Sequence, residues 1–114
     1  MMRRTIAGTA GAVLIAAIAI AAGEVPARYV GPFPSFGQFT SVTATFTGSR
    51  LILNATFVAG GRFLPRTGQF TCNQTSPAET RCLGQFVGGK TTGDAGVLTV
   101  TWKGGVPVAA TFVK

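Results

Sequence analysis

Short runs of alternating apolar and polar residues follow one another from residue 39 to the end of the chain. Such alternation is typical of β-strands that bury one face. It predicts six strands, at residues 39–47, 50–58, 69–73, 81–87, 97–103 and 106–113. The connections are too short for parallel crossovers, so the pattern predicts an all-β fold, a small antiparallel meander of about six strands. An open sheet, a sandwich and a small barrel all fit this pattern.

One face of each predicted strand is apolar and is expected to form the core. The residues on these faces are Val42, Ala44, Phe46, Leu51, Leu53, Ala55, Phe57, Phe70, Cys72, Cys82, Phe86, Leu98, Val100, Trp102, Val108, Ala110 and Phe112. Among them, Phe70, Phe86 and Trp102 have a second interpretation as an exposed aromatic platform for a sugar or lipid. Alternating aromatic residues in a small β-domain favour the core.

Residues 1–23 differ in composition from the rest of the chain. Two arginines, Arg3 and Arg4, precede an uncharged, alanine-rich apolar run, which is typical of an export signal. Small residues favour cleavage after Ala21 or Gly23. The alternative is an uncleaved hydrophobic helix over residues 5–23 that anchors the protein in a membrane. Both interpretations place the rest of the chain outside the cytoplasm, in the periplasm or the extracellular space.

The exported part divides into a short entry and one domain. Residues 24–38 are rich in proline and glycine and predict an extended linker. Residues 39–114 are enough for a single small β-domain with one modest core.

Without Arg3 and Arg4, the exported part contains eight basic residues and three acidic ones, a net charge of +5. The cations are spread singly, without the run that would indicate a nucleic-acid-binding arm. In an exported domain this balance favours an anionic lipid surface, an anionic glycan or an acidic protein as partner. Charge that only keeps the domain soluble is the alternative. Arg62, Arg66 and Lys90 lie in the turns expected to protrude, and they are the candidate contacts to an anionic partner.

Cys72 and Cys82 are the only cysteines. In an oxidising compartment, an even pair this close in sequence predicts a disulfide that joins two adjacent strands. Residues 73–81 between them are polar and contain Pro77, which favours an exposed hairpin loop. A redox-active pair is the alternative, but the nine intervening residues are not the spacing of a thiol catalyst.

An internal repeat relates two parts of the β-domain at an offset of 28 residues. Residues 56–62, Thr-Phe-Val-Ala-Gly-Gly-Arg, are echoed by residues 85–90, Gln-Phe-Val-Gly-Gly-Lys, and each copy is followed by another glycine and a strand. Each unit predicts one hairpin, and hairpins must stack side by side to bury their apolar faces. The glycine doublets are expected to be hairpin turns and not phosphate-binding loops, because no helix follows them.

The stretch from Gly84 to Phe112 resembles the MORN repeat. It contains spaced glycines, an aromatic residue before Gly88-Gly89-Lys90, and Trp102 before a second glycine pair. The resemblance implies a β-hairpin scaffold or membrane-associated module and not a catalyst. An ordinary sheet with hairpin symmetry is the alternative.

The sequence argues against an enzyme. It contains no histidine, the commonest general base and a common metal ligand. Its only carboxylates outside the chain terminus are Glu24, Glu79 and Asp94, which are scattered along the chain. A glycosidase needs two convergent carboxyl groups and a metal site needs several ligands. We therefore expect no catalytic residues, no metal and no cofactor.

The sequence leaves three functional hypotheses. The first is a non-catalytic exported β-domain that binds an anionic partner through its loops or sheet face. The second is an accessory subunit of a membrane complex, tethered by an uncleaved N-terminal helix. The third is a small inhibitor of a secreted enzyme that presents the loop between the cysteines.

Overall fold

The computed structural model describes residues 23–88 and 91–114, without the side chains of residues 91–94. It is all-β, and neighbouring strands are antiparallel throughout. The strands are β1 (Tyr29–Phe33), β2 (Phe39–Phe46), β3 (Arg50–Ala59), β4 (Arg62–Ser76), β5 (Glu79–Gly88), β6 (Thr91–Lys103) and β7 (Val106–Val113). They form one sheet in chain order, which is curled but open, like half of a barrel. The predicted antiparallel meander is confirmed.

All six predicted strands are present, and a seventh precedes them. Residues 24–38 were expected to form a linker, but Tyr29–Phe33 is β1, which pairs along β2. Phe33 and Phe36 are buried in the core. The proline and glycine signals concealed this strand because a proline such as Pro32 fits an edge strand, where its missing N–H faces the free side. The predicted leader, apart from Gly23, lies outside the described residues.

The core lines the inner face of the curl. The predicted inward residues of β2, β5 and β6 are buried, as are Leu51, Leu53 and Ala55 on β3 and Phe70 and Cys72 on β4. The expectation for β7 was wrong at one position, since Val108 is 49% exposed. The pairing of β6 with β7 shifts between Thr101 and Trp102, and β7 is an edge strand with a neighbour on only one side. The shift and the open edge leave Val108 in solvent.

The cysteines lie directly opposite each other on β4 and β5 and form the predicted disulfide. Both are buried in the core. The segment between them is not a long loop, however. β4 continues to Ser76 and β5 begins at Glu79, so only Pro77 and Ala78 form the turn. The backbone groups of β4 and β5 keep pairing beyond the disulfide. The polar side chains of this segment do not prevent that pairing, because the backbone donors and acceptors form it.

Glycines inside the strands permit the curl of the sheet. A Cβ added at Gly84 would overlap the backbone carbonyl of Gln69, and one added at Gly68 would lie 2.7 Å from the Phe86 ring. Gly68 pairs with Phe86, and Gly84 pairs with Phe70. The rings of Phe70 and Phe86 therefore both occupy inner-face space that Gly68 leaves empty, whereas the missing side chain of Gly84 lets the backbones of β4 and β5 approach closely.

The N-terminal segment contacts the last hairpin of the sheet. The backbone carbonyl of Glu24 accepts a hydrogen bond from the N–H of Gly105 at 3.1 Å. Its carboxylate accepts one from the N–H of Gly104. Tyr29 on β1 packs edge-on against Trp102 on β6, with ring centroids 5.9 Å apart. These contacts join the first and last parts of the described chain and hold the sheet in its curled form.

Candidate binding surface

The hairpin of β3 and β4 extends past both of its neighbours at one end of the sheet. The last ladder pair with β2 is Phe39 with Phe57, and the last one with β5 is Thr67 with Val87. Beyond them, β3 and β4 continue pairing with each other as far as Ala59 and Arg62. We call residues 57–66 the finger. At about 3.3 Å per strand residue, the three residues from Phe57 to Gly60 place its tip about 10 Å beyond Phe57.

The predicted glycine turn forms the tip of the finger. Gly60 and Gly61 have φ angles of 57° and 75°. Two consecutive positive φ angles define a type I′ turn, which suits the twist of a hairpin and strongly favours glycine. The doublet therefore acts as a turn, as the sequence predicts.

Arg62 and Arg66, both predicted contacts to an anionic partner, lie on the finger. Arg62 is the first residue of β4 and is exposed. Arg66 is partly buried, and its Nη1 donates a hydrogen bond to the carbonyl of Pro65 at 2.8 Å. Its guanidinium carbon lies 5.9 Å from the centre of the Phe57 ring. A ring and a carbonyl thus hold the Arg66 cation in place without neutralising it.

Aromatic side chains fix the base of the finger to the core. The Phe57 ring lies 5.2 Å from Phe39, and Phe39 stacks on Phe86 at 4.1 Å between ring centroids. Phe86 is only 2% exposed. The finger therefore projects from a packed platform, and its side chains keep a defined position relative to the sheet.

Phe63 is the functional candidate that sequence reasoning missed. It is 71% exposed, equal to the highest value among the large apolar side chains of the described residues. It follows Arg62 directly, so the two side chains point to opposite faces of the strand. The sequence places Phe63 outside every predicted strand because Pro65 interrupts the pattern. An apolar residue two positions after a glycine turn was the available signal.

The two side-chain carboxylates that the structure describes, Glu24 and Glu79, lie at the other end of the sheet and are already engaged. Glu24 accepts the hydrogen bond from Gly104, and Glu79 accepts one from Thr75 Oγ1 at 2.9 Å. Within the described part of the chain, neither carboxylate forms an ion pair with Arg62 or Arg66. Neither of these two carboxylates therefore neutralises the positive charge of the finger.

Lys90, the third predicted contact, lies outside the described residues. Its flanking residues Gly88 and Thr91 pair with each other at the end of the sheet from which the finger projects. Gly88 also lies beside Pro65 and Arg66. The topology thus brings the β3–β4 turn and the paired ends of β5 and β6 to one end of the sheet.

A second surface feature is an open groove of about 740 Å³ on the outer face of the sheet. Its lining includes two cross-strand pairs, Gln69 with Gln85 and Leu83 with Val97. Arg50 is its single cation. The groove offers amide and aliphatic groups and much less positive charge than the finger region.

Other sequence-based candidates do not form a surface site. Phe70, Phe86 and Trp102 are at most 3% exposed, so they belong to the core and form no platform. Among the residues that the structure describes, no group of three or more His, Cys, Asp or Glu side chains is placed to hold a metal ion. The same residues include no helix with the length and hydrophobicity of a membrane span.

Comparison of the chain with family models, curated proteins and solved structures found no match. The similarity to MORN repeats therefore stays a prediction.

Proposed function

We propose that this chain is a non-catalytic exported β-domain that binds an anionic partner through the finger. The single observation that carries the proposal is the pair of arginines on a projecting hairpin, with no carboxylate paired to them in the described part of the chain. A positively charged surface such as the finger attracts anionic partners most strongly. The buried disulfide is consistent with an exported protein.

The positions of the finger's cations support a role in binding over a role in solubility alone. Charge kept only for solubility needs no fixed position, whereas Arg66 is held by Phe57 and by the Pro65 carbonyl. Lys90 lies outside the described residues and stays a predicted contact. Cations grouped on one projection bind a polyanion more strongly than the same number of cations scattered over a surface.

The test compares two double variants with the same net charge. Arg62→Gln/Arg66→Gln removes two cations from the finger, and Arg50→Gln/Arg81→Gln removes two from the outer face of the sheet. Heparin, a sulfated polyanion, serves as the probe, and the salt concentration at elution is measured. We expect the finger variant to elute at clearly lower salt than the control, because cations grouped on one projection attract a polyanion most strongly.

An equal shift in both variants would show that only net charge matters, and the proposal would fail. Arg66→Gln also removes packing against Phe57, so the single variants Arg62→Gln and Arg81→Gln provide a second comparison of two exposed arginines. A larger elution shift for Arg62→Gln supports the finger independently of any change in folding.

A further inference from the structure

We infer that the anionic partner of the finger is a membrane surface, with Phe63 inserted at the lipid interface and Arg62 and Arg66 at the headgroups. This inference rests on the proposed function and names its partner. Anionic headgroups attract cations, and an aromatic ring is favoured at the boundary between headgroups and acyl chains. The finger presents both chemistries on one projection.

The shape of the finger favours a fluid surface over a small ligand. Binding sites for small molecules are concave and enclose most of the ligand. The finger is convex and projects past β2 and β5. A lipid bilayer can accommodate such a projection because its headgroups rearrange around it.

The area of the finger also argues against an acidic protein as the principal partner. Stable protein interfaces bury about 800 Å² on each side, which corresponds to some 20–30 residues. The finger is a single hairpin of residues 57–66 with one strongly exposed aromatic side chain. A membrane interface needs no such area, because one inserted ring and neighbouring cations add directly to its affinity.

The length of the projection fits the required depth. Elements that lie at a membrane interface bury their apolar groups about 5–10 Å into the boundary of headgroups and acyl chains. The turn lies three residues, about 10 Å, beyond Phe57. Phe63 pairs with Val58, one residue beyond Phe57, so the ring reaches the interface with the start of β2 close to the headgroups. Arg62 lies one residue before Phe63, and Arg66 lies three residues after it. Both arginines are on the opposite face of β4 from Phe63. This spacing places both cations near the headgroups while the ring is inserted.

The experiment measures co-sedimentation of the full chain with phosphatidylcholine vesicles that contain phosphatidylserine, and with vesicles of phosphatidylcholine alone. We expect binding to the anionic vesicles to weaken about tenfold in Phe63→Ser. It should weaken about fivefold in Arg62→Gln. Leu83→Ser and Arg81→Gln are matched controls, because Leu83 is 60% exposed and Arg81 is an exposed arginine, and both lie on the outer face of the sheet. Both controls should bind like the unaltered protein.

Phe63→Trp gives a local readout that does not depend on how the rest of the chain binds. Trp102 is buried and is the only other tryptophan, so its emission is a constant background. We expect the new tryptophan to shift its emission to shorter wavelength when anionic vesicles are added. Co-sedimentation without this shift would overturn the inference, because the chain would then bind by another surface.

The remaining outcomes are also decisive. Retention on heparin without binding to anionic vesicles overturns the membrane inference and leaves the proposed function standing. If the unaltered protein binds neither heparin nor anionic vesicles, both the proposed function and the membrane inference are overturned. Equal weakening by Leu83→Ser and Phe63→Ser assigns the contact to the outer face of the sheet and also overturns the inference.

Discussion

The β3–β4 and β4–β5 hairpins share β4 but differ in what lies at their tips. At the β4–β5 tip, polar groups satisfy one another: Thr75 donates to the Glu79 carboxylate and Gln74 donates to the Ser76 carbonyl. A few residues away, the disulfide joins the two strands across the buried face. The finger at the other end of β4 has neither a disulfide nor a carboxylate among its residues, and it exposes Phe63.

The difference indicates a division of roles along one strand. Groups that are already paired contribute to stability and have little left to offer a partner. Exposed cations and an exposed aromatic ring contribute little to stability, but they retain their full capacity for binding. We therefore expect substitutions in the β4–β5 hairpin to change folding and substitutions in the finger to change binding.

The largest expected effect is at Gly84, which pairs with Phe70 in the β4–β5 hairpin. Gly84→Ala should lower the free energy of unfolding by about 3 kcal/mol or more, because the new Cβ would overlap the backbone of Gln69 and the sheet must move. Gly60→Asn in the finger turn is the matched control. No atom lies within 4 Å of its added Cβ, and asparagine tolerates a positive φ. Urea denaturation should show a change below about 0.5 kcal/mol for the control.

The next largest effect concerns the disulfide. Cys72→Ala/Cys82→Ala should reduce the free energy of unfolding by roughly 2–3 kcal/mol, because the unfolded chain regains the freedom of a closed loop. Adding a reductant to the unaltered protein should lower its denaturation midpoint in the same direction. An unchanged midpoint in both cases would contradict the stabilising role of this hairpin.

A smaller effect is expected at Thr80, the only buried polar residue among the described side chains. Its Oγ1 accepts a hydrogen bond from Trp102 Nε1 at 3.1 Å. Thr80→Val keeps the shape but leaves the indole N–H without this acceptor, so stability should fall by about 1–2 kcal/mol. Thr71→Val, at an exposed position on β4, is the control and should change stability by less than about 0.5 kcal/mol. The fluorescence of Trp102 during urea denaturation reports both values.

The amino-acid pattern predicts the meander, the disulfide and most of the core because each depends on local alternation or on a single cysteine pair. β1 was missed since Pro32 breaks the pattern of a central strand but is tolerated at an edge. The long finger was missed for a similar reason, as Pro65 interrupts the pattern of β4 two residues beyond Thr67, which forms the last ladder pair with β5. Both errors depend on where the sheet ends, which is a tertiary property.

The candidate site was predictable only in part. The glycine doublet indicates that Arg62 lies beside a turn, and the structure places it there. The contact of Arg66 with Phe57 and the exposure of Phe63 depend on the register of β3 and β4, which no local pattern specifies. Lys90 lies outside the described residues, and its role stays a prediction.

The central claim is that the finger binds the partner while the β4–β5 hairpin stabilises the fold. Its most direct test is the salt concentration at which three proteins elute from heparin, at a temperature where all are folded: the unaltered chain, Arg62→Gln/Arg66→Gln and Cys72→Ala/Cys82→Ala. We predict that the cysteine variant elutes with the unaltered chain and that the arginine variant elutes at lower salt. Elution of the arginine variant with the unaltered chain, or of the cysteine variant with the arginine variant, would contradict this division of roles.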